Sequence, residues 1–279
     1  MRGGKRRRRW LAPGWPVRWA TVAALGAVSV ATTGPLLFML LMALKRYPEY
    51  IRNRFGFPRH PSLENLANAW TYGKIGRYVG NSVIVVCGGV VLSWVVCSLA
   101  AYALSHLRFR GRRAVFLLIL GSMMIAPQVI LIPLYSMLVH LGLLNRHLGL
   151  ILVYVTFATP FGTYLLTSYF RSIPAELVEA AQVDGADHLR VLLKVILPIG
   201  RPALLTLGIF NFLWMWNELL FALLILQDDS VRTLMVGVAN LRGQYTTNIP
   251  LLSAVPVLLV FLFLQAHLTK GMTMGAVKG

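Results

Sequence analysis

Six stretches of this chain, at 19–44, 82–107, 114–138, 148–170, 202–226 and 249–268, are long and apolar enough to cross a lipid bilayer. The hydrocarbon core of a bilayer is about 30 Å thick, which an α-helix spans in about 20 residues. Within it a backbone amide finds no water, so each crossing segment must satisfy its own N–H and C=O groups, and a helix does so. Composition closes off a soluble alternative. Hydrophobic residues make up 57% of the 279 and charged residues 13%, against about 25% charged in soluble domains. A soluble fold of this size has too little interior to hide that much apolar surface. The chain is expected to be an all-α integral membrane protein with six transmembrane helices.

Net charge is +18, from 27 Lys and Arg against nine Asp and Glu. In a soluble protein that balance would suggest nucleic acid. Here the bases lie mostly outside the apolar runs, and the densest group, Lys5 and Arg6 to Arg9, stands just before the first run. This fits retention on the cytoplasmic side and attraction to anionic membrane lipid, with no nucleic-acid partner. With both termini cytoplasmic, 17 Lys and Arg fall inside and 10 outside. The dissenting loop, 45–77, is the longest, and long loops cross regardless of charge. Ser29-Val30-Ala31 resembles a signal-peptide cleavage site, but the apolar stretch runs on to Leu44, too long for a signal core. The chain thus divides into a basic cytoplasmic N-terminus (1–18), a six-helix transmembrane domain (19–268) and a cytoplasmic tail (269–279).

Cys87 and Cys97 share one apolar run and would lie about 15 Å apart on a helix, too far for a disulfide. The six histidines are scattered without ligand spacing, so no metal site is expected. In the outer loop, Pro61 and Ser62 open a short amphipathic helix that ends in Trp70 and Tyr72.

The most informative segment is the cytoplasmic loop 172–200 between the fourth and fifth runs. Ser172 and Pro174 can open a helix whose positive end suits Glu176 and Glu179. Leu177, Ala180, Ala181 and Asp184 follow at helical spacing. Gly185 then permits a turn closed to residues with side chains. Asp187 can cap a second helix, with Leu189, Leu192, Leu193 and Ile196 as its apolar stripe and Pro198 as its end. The product is a two-helix elbow at the membrane face. Small Ala180 and Ala181 between Glu179 and Asp184 allow close approach of a partner with basic groups, in the manner of a helix seated in a groove. The alternative is a loop helix resting on lipid headgroups, but four acids among few bases is the wrong sign for an anionic membrane.

Glu179-Ala180-Ala181, Asp184-Gly185-Ala186, Ile196-Leu197-Pro198 and Pro202 closely resemble the EAA loop of ABC-importer permeases. Pro61-Ser62-Leu63-Glu64-Asn65 and Asn81-Ser82-Val83-Ile84 resemble the external segment of sugar permeases, and the ending from Lys270 to Gly279 is similar to the tail of their MalG-like subgroup. The resemblance covers nearly all the chain after Trp19. It implies a type I ABC importer permease (MetI-like) fold whose cytoplasmic EAA coupling helix sits in a cleft of a separate ATPase. Glu179, Ala180, Ala181, Asp184, Gly185, Ala186 and Pro198 would then be the coupling residues, with Glu179 meeting a basic ATPase residue. The implied partners are a sister MalF-like permease, two ATPase subunits and an extracytoplasmic sugar-binding protein in a prokaryotic cytoplasmic (inner) membrane. The chain has no Gly-x-x-x-x-Gly-Lys-Ser/Thr phosphate loop, so ATP and Mg belong to the ATPases, and no cofactor is expected on this chain.

Candidate pathway residues are those that hydrocarbon penalises. Glu218 is the only acid within a run, and an intramembrane charge costs about 2.5 kcal/mol or more unless it finds water or a partner. Asn211, Trp214 and Glu218 stand at i, i+3 and i+7, sharing a helix face, with Asn217 beside them. They form either a sugar-holding wall of a cavity or an interhelical polar clamp. Tyr154 and the threonines of the fourth run, broken by Pro160 and Gly162, and Gln128 between Pro127 and Pro133 extend the set. Most of those hydroxyls should bond to their own helix. A polyol or glycerol phosphate would suit the same scaffold. A stand-alone channel or a membrane enzyme is the distant alternative; an enzyme would need a nucleophile and base, or facing carboxylates, absent from the runs.

Overall fold

The structure is a computed structural model that describes residues 15–241 and 248–258. Along them run α1 (Trp15–Ala43), α2 (Tyr47–Arg52), α3 (Glu64–Thr71), α4 (Ile75–His106), α5 (Arg112–Gly121), α6 (Leu131–His140), α7 (His147–Phe170), α8 (Ala175–Val183), α9 (His188–Val191), α10 (Leu197–Ile199), α11 (Arg201–Asn217), α12 (Leu220–Ile225), α13 (Leu234–Asn240) and α14 (Ile249–Leu258). The all-helical expectation holds. The basic N-terminus to residue 14, the second half of the sixth predicted span and the C-terminal tail lie outside the described residues. The described residues fall into two compact units, 15–69 with 248–258 and 70–241.

In the first unit α1 is apolar on every side, with Val22, Leu25, Val28 and Val30 exposed, as suits a helix bathed in lipid. Its last turn is closed by the chain that follows. Asn65 donates from Nδ2 to the carbonyls of Ala43 (2.9 Å) and Lys45 (2.6 Å), supplying partners that a helix C-terminus otherwise lacks. Lys45 is fully buried, and its Nζ donates to Asn53 O at 2.8 Å, so the charge is not left bare. Ser62 opens α3 as its sequence suggests, its Oγ accepting from Glu64 N. The short α2 had no counterpart in the sequence reading.

The second unit is built on α4 and α7. α4 begins at Ile75, seven residues before the apolar run does, and continues unbroken for 32 residues. α7 coincides with the fourth run and, contrary to the break expected at Pro160 and Gly162, is continuous through both; the proline only leaves out one N–H, and the glycine serves packing. Small residues let the backbones approach. A Cβ at position 162 would stand 2.5 Å from Cys97 Sγ, and one at 208 would stand 2.5 Å from the Trp94 ring. Cys97 is buried and Cys87 exposed, and both are free thiols. α11 crosses α4 there, with Trp94 Nε1 donating to Leu204 O at 2.9 Å. Toward the N-terminal end of α4 the core holds Val86, Leu150, Tyr154, Met215 and Phe221; toward its C-terminal end it holds Cys97, Tyr102, Leu166, Phe170, Ile196 and Leu207.

Among the described residues, three single helices are long and apolar enough to cross a membrane, and two further spans are so only as bent pairs. The third span, 114–138, which Pro127 and Pro133 mark as irregular, is sharply bent: Arg112–Met124 and Pro127–His140 meet at 91°. Ala126 is extended (φ −64°, ψ 128°), the conformation favoured for a residue that precedes proline. The expected fifth span, 202–226, is likewise interrupted, α11 ending at Asn217 and α12 beginning at Leu220. A further bend of 79° separates His188–Ile199 from Arg201–Asn217.

The loop between α12 and α13 is pinned to the first turns of α4. Lys74 Nζ and Tyr78 OH each reach an oxygen of Asp229 at 2.6 Å. Asn81 Nδ2 donates to Ser230 O and Arg232 O, and Ser82 Oγ accepts from Leu234 N. Lys74, then Tyr78, holds the Asp229 carboxyl down to about 2 from its ordinary 3.8. A depressed folded value stabilises at every pH above the unfolded one and is lost as pH falls through about 2. Thermal stability between pH 5 and 8 should therefore be flat with respect to Asp229, while Asp229→Asn lowers the Tm throughout that window. At the α4–α11 crossing, Gly208→Ala should cost about 1–3 kcal/mol by overpacking against Trp94, read as a lower Tm of the solubilised protein.

Candidate functional site

The elbow takes shape much as the residues suggest, with local corrections. Pro174 is the residue that precedes α8, whereas Ser172 turns its hydroxyl back onto Tyr169 O at 2.7 Å. Gly185 adopts φ +79°, the left-handed conformation that disfavours any residue with a Cβ. Asp187 caps α9, its Oδ1 accepting from Arg190 N at 3.1 Å. The second helix does not stop at Pro198. It widens into a π turn over Leu192–Ile196 and continues through Pro198 to Ile199. The wide turn accommodates the missing N–H and ring of proline that would break a regular α ladder. It also shifts the buried stripe. Val191, Leu192 and Ile196 are buried, whereas Leu189 and Leu193, assigned to that stripe from sequence, are exposed.

The anchor of α8 is Val178, packed with Ile173 into the cluster around Phe170; Leu177 points outward. Ala181 and Ala186 rest against the same cluster. Glu176, Glu179, Ala180, Asp184 and Gly185 are exposed, together with Val183 at 87%. The elbow therefore buries one side and offers an acidic face, with a bare valine, on the other. It is joined to α4 through Tyr102 OH and His188 Nδ1, 3.1 Å apart.

The pathway candidates separate. Glu218 is not on the helical face of Asn211 and Trp214, because α11 ends at Asn217 and Glu218 is extended (φ −73°, ψ 128°). Its carboxylate restarts the helix. Oε1 accepts from Phe221 N at 2.9 Å, and Oε2 from Ala222 N at 3.2 Å and from Tyr154 OH at 2.9 Å. These three donors answer the charge that hydrocarbon would penalise. Trp214 stands edge-on to Tyr154, ring centroids 5.5 Å apart. Asn211 is buried and donates to Ser93 Oγ at 2.8 Å, a tie between α11 and α4. Asn217 donates to its own helix at Leu213 O, and Gln128 is exposed at the bend of the third span. The structure thus brings Tyr154, Trp214 and Glu218 together and leaves Asn211, Asn217 and Gln128 apart from them.

A cleft of about 430 Å³ opens at the 91° bend, lined by Ser122, Met123, Ile125, Pro127, Thr156, Phe157, Pro160 and Trp214 among others. Ser122, Thr156 and Pro160 also line an adjoining hollow that reaches Thr159. Thr156 and Thr159 spend their hydroxyl protons on Leu152 O and Val155 O of their own helix. Ser122, Met123 and Ile125 escaped the sequence reading because they sit in an apolar run; the proline pair Pro127 and Pro133 was the available signal. No cluster of metal-ligating side chains occurs among the described residues.

The family described as "Binding-protein-dependent transport system inner membrane component" matches residues 62–274. The chain belongs to that family. It is an ABC-transporter permease component of a membrane transport system that depends on a binding protein, not a catalyst. It is 37% identical over 256 residues to the probable ABC transporter permease protein YurM of Bacillus subtilis, covering 90% of this chain and 85% of YurM. It is 36% identical to the diacetylchitobiose uptake system permease protein NgcG of Streptomyces coelicolor (88% and 84% covered). It is 33% identical to the melibiose/raffinose/stachyose import permease protein MelC of Bacillus subtilis (88% and 91%). The fold matches a chain of a bacterial ABC transporter involved in import of the acidic polysaccharide alginate, with TM-score 0.76, 24% identity, and 95% and 99% of the two chains covered.

Removing the Glu218 carboxylate should cost more than removing the Tyr154 hydroxyl. Glu218→Ala abolishes three hydrogen bonds, two of them a helix cap worth about 1–2 kcal/mol, whereas Tyr154→Phe abolishes one. The Tm of the solubilised permease should fall further for Glu218→Ala, and equal falls would contradict the capping role.

Proposed function

We propose that this chain is one of two permeases of an ATP-driven importer for a sugar or oligosaccharide, moved by alternating access. The other subunits are a sister MalF-like permease, two ATPases that bind ATP with Mg, and an extracytoplasmic binding protein. Both termini are cytoplasmic, which puts the elbow on the ATPase side. The observation that carries the reading is the elbow itself: α8 held on its inner side by Val178, acidic on its outer side, and hinged at Gly185 with φ +79°. Such a helix suits a groove lined with basic groups. The sugar assignment is supported by the import roles named for NgcG and MelC. The one-sided cleft beside Trp214, whose aromatic face can lie against a sugar ring, agrees with it. Seated in the ATPase, the elbow passes its displacement through Tyr102 and the Phe170 cluster into α4 and α7.

Glu179→Lys and Gly185→Pro test this in membranes containing the whole importer. Both proteins should remain in the membrane while uptake falls at least ten-fold and ATP hydrolysis loses its dependence on the loaded binding protein. Normal coupled uptake in both variants would refute the docking role. Direct binding of candidate ligands to the partner binding protein separates sugars from polyols and glycerol phosphate.

A further inference from the structure

On the same membrane face as the elbow, the turn after α4 and the end of α7 border a further, open hollow, about 630 Å³, lined by Arg112, Arg113, Phe116, Leu117 and Arg171. Three arginines border it, and none of the described lining residues is acidic. They are held by different means. Arg112 donates to Ser105 O at 3.2 Å and Leu107 O at 3.3 Å, closing the end of α4. Arg171 lies over the Phe116 ring, 5.4 Å from its centroid, with Nη2 3.5 Å from Leu104 O. Arg113 is exposed and forms none of the described ion pairs. Like charges gathered at one hollow repel one another, and an anion between them reverses that cost.

The floor of the hollow identifies the anion. Phe116 and Leu117 continue into Leu118, exposed by 75%, and Val115, exposed by 42%, on the outer surface of α5. A free phosphate has no use for an apolar wall. A phosphate that carries acyl chains does, and guanidinium groups pair with phosphate oxygens through parallel N–H donors. Basic hollows between helices at a cytoplasmic membrane face are suited to anionic headgroups. We infer that Arg112, Arg113 and Arg171 form a binding site for one anionic glycerophospholipid, its phosphate among the guanidinium groups and its chains along α5. Its arginines line neither the cleft at the bend of the third span nor the hollow beside that cleft.

The test is native mass spectrometry of the delipidated full-length protein titrated with phosphatidylglycerol, phosphatidylcholine or inorganic phosphate. Phosphatidylglycerol should bind at least ten-fold more tightly than phosphatidylcholine, and inorganic phosphate should not displace it at equal concentration. The pair Arg113→Gln with Arg171→Gln should abolish the preference, and Arg113→Lys with Arg171→Lys should keep part of it. Arg108→Gln with Arg110→Gln removes the same charge from the same face outside the hollow and should leave affinity within two-fold. Equal binding of the two lipids by the unaltered protein would overturn the site. So would displacement by inorganic phosphate, or an equal loss from the Arg108 and Arg110 changes, which would reduce the effect to general surface charge.

Discussion

Close packing of α4 against α7, with α11 laid across α4, fixes the position of every functional segment in the second unit. The contact depends on residues too small to hold the backbones apart, and on side chains along α4 that reach to neighbouring segments. Asn81 and Ser82 hold the outer loop, Ser93 ties Asn211, Trp94 ties Leu204, and Tyr102 meets His188. Since lipid gives no hydrophobic reward for bringing apolar helices together, such polar ties and tight van der Waals contacts must supply the association.

The same constraint governs how the spans break. Each interruption leaves amides and carbonyls without helical partners, and in hydrocarbon each must find another. At the end of α11 the Glu218 carboxylate takes two of the amides of α12. A residue that reads in sequence as an isolated intramembrane charge is thereby part of the backbone's own hydrogen bonding, and Tyr154 is its third partner.

Much of the fold was legible in the sequence because length and hydropathy report membrane crossing directly. The second and fourth runs became α4 and α7 with their C-terminal limits within a residue. The breaks were harder. Pro127 and Pro133 marked the third run as irregular, but the 91° bend turns on Ala126 being extended, which hydropathy does not register. Nothing in composition marked the stop at Asn217, since no glycine or proline is there; a carboxylate competing for amides ends the helix. The elbow was legible to the level of its hinge and cap because Gly185 and Asp187 act locally, through their own dihedral angles and their own side chains. Its buried stripe was not, because the π turn changes which residues face inward. The pathway candidates were chosen for polarity, and polarity alone cannot separate a group that faces a cleft from one consumed by a neighbouring helix, as Asn211 is by Ser93.

α4 runs as one uninterrupted helix of 32 residues, about 48 Å from end to end. Lys74 and Tyr78 fasten one end to Asp229, and Tyr102 fastens the other to His188. No proline stands between them, and the helix is continuous from one fastening to the other. One helix therefore carries both the tie to the outer loop and the tie to the elbow, so the positions of those two segments are mechanically linked through α4.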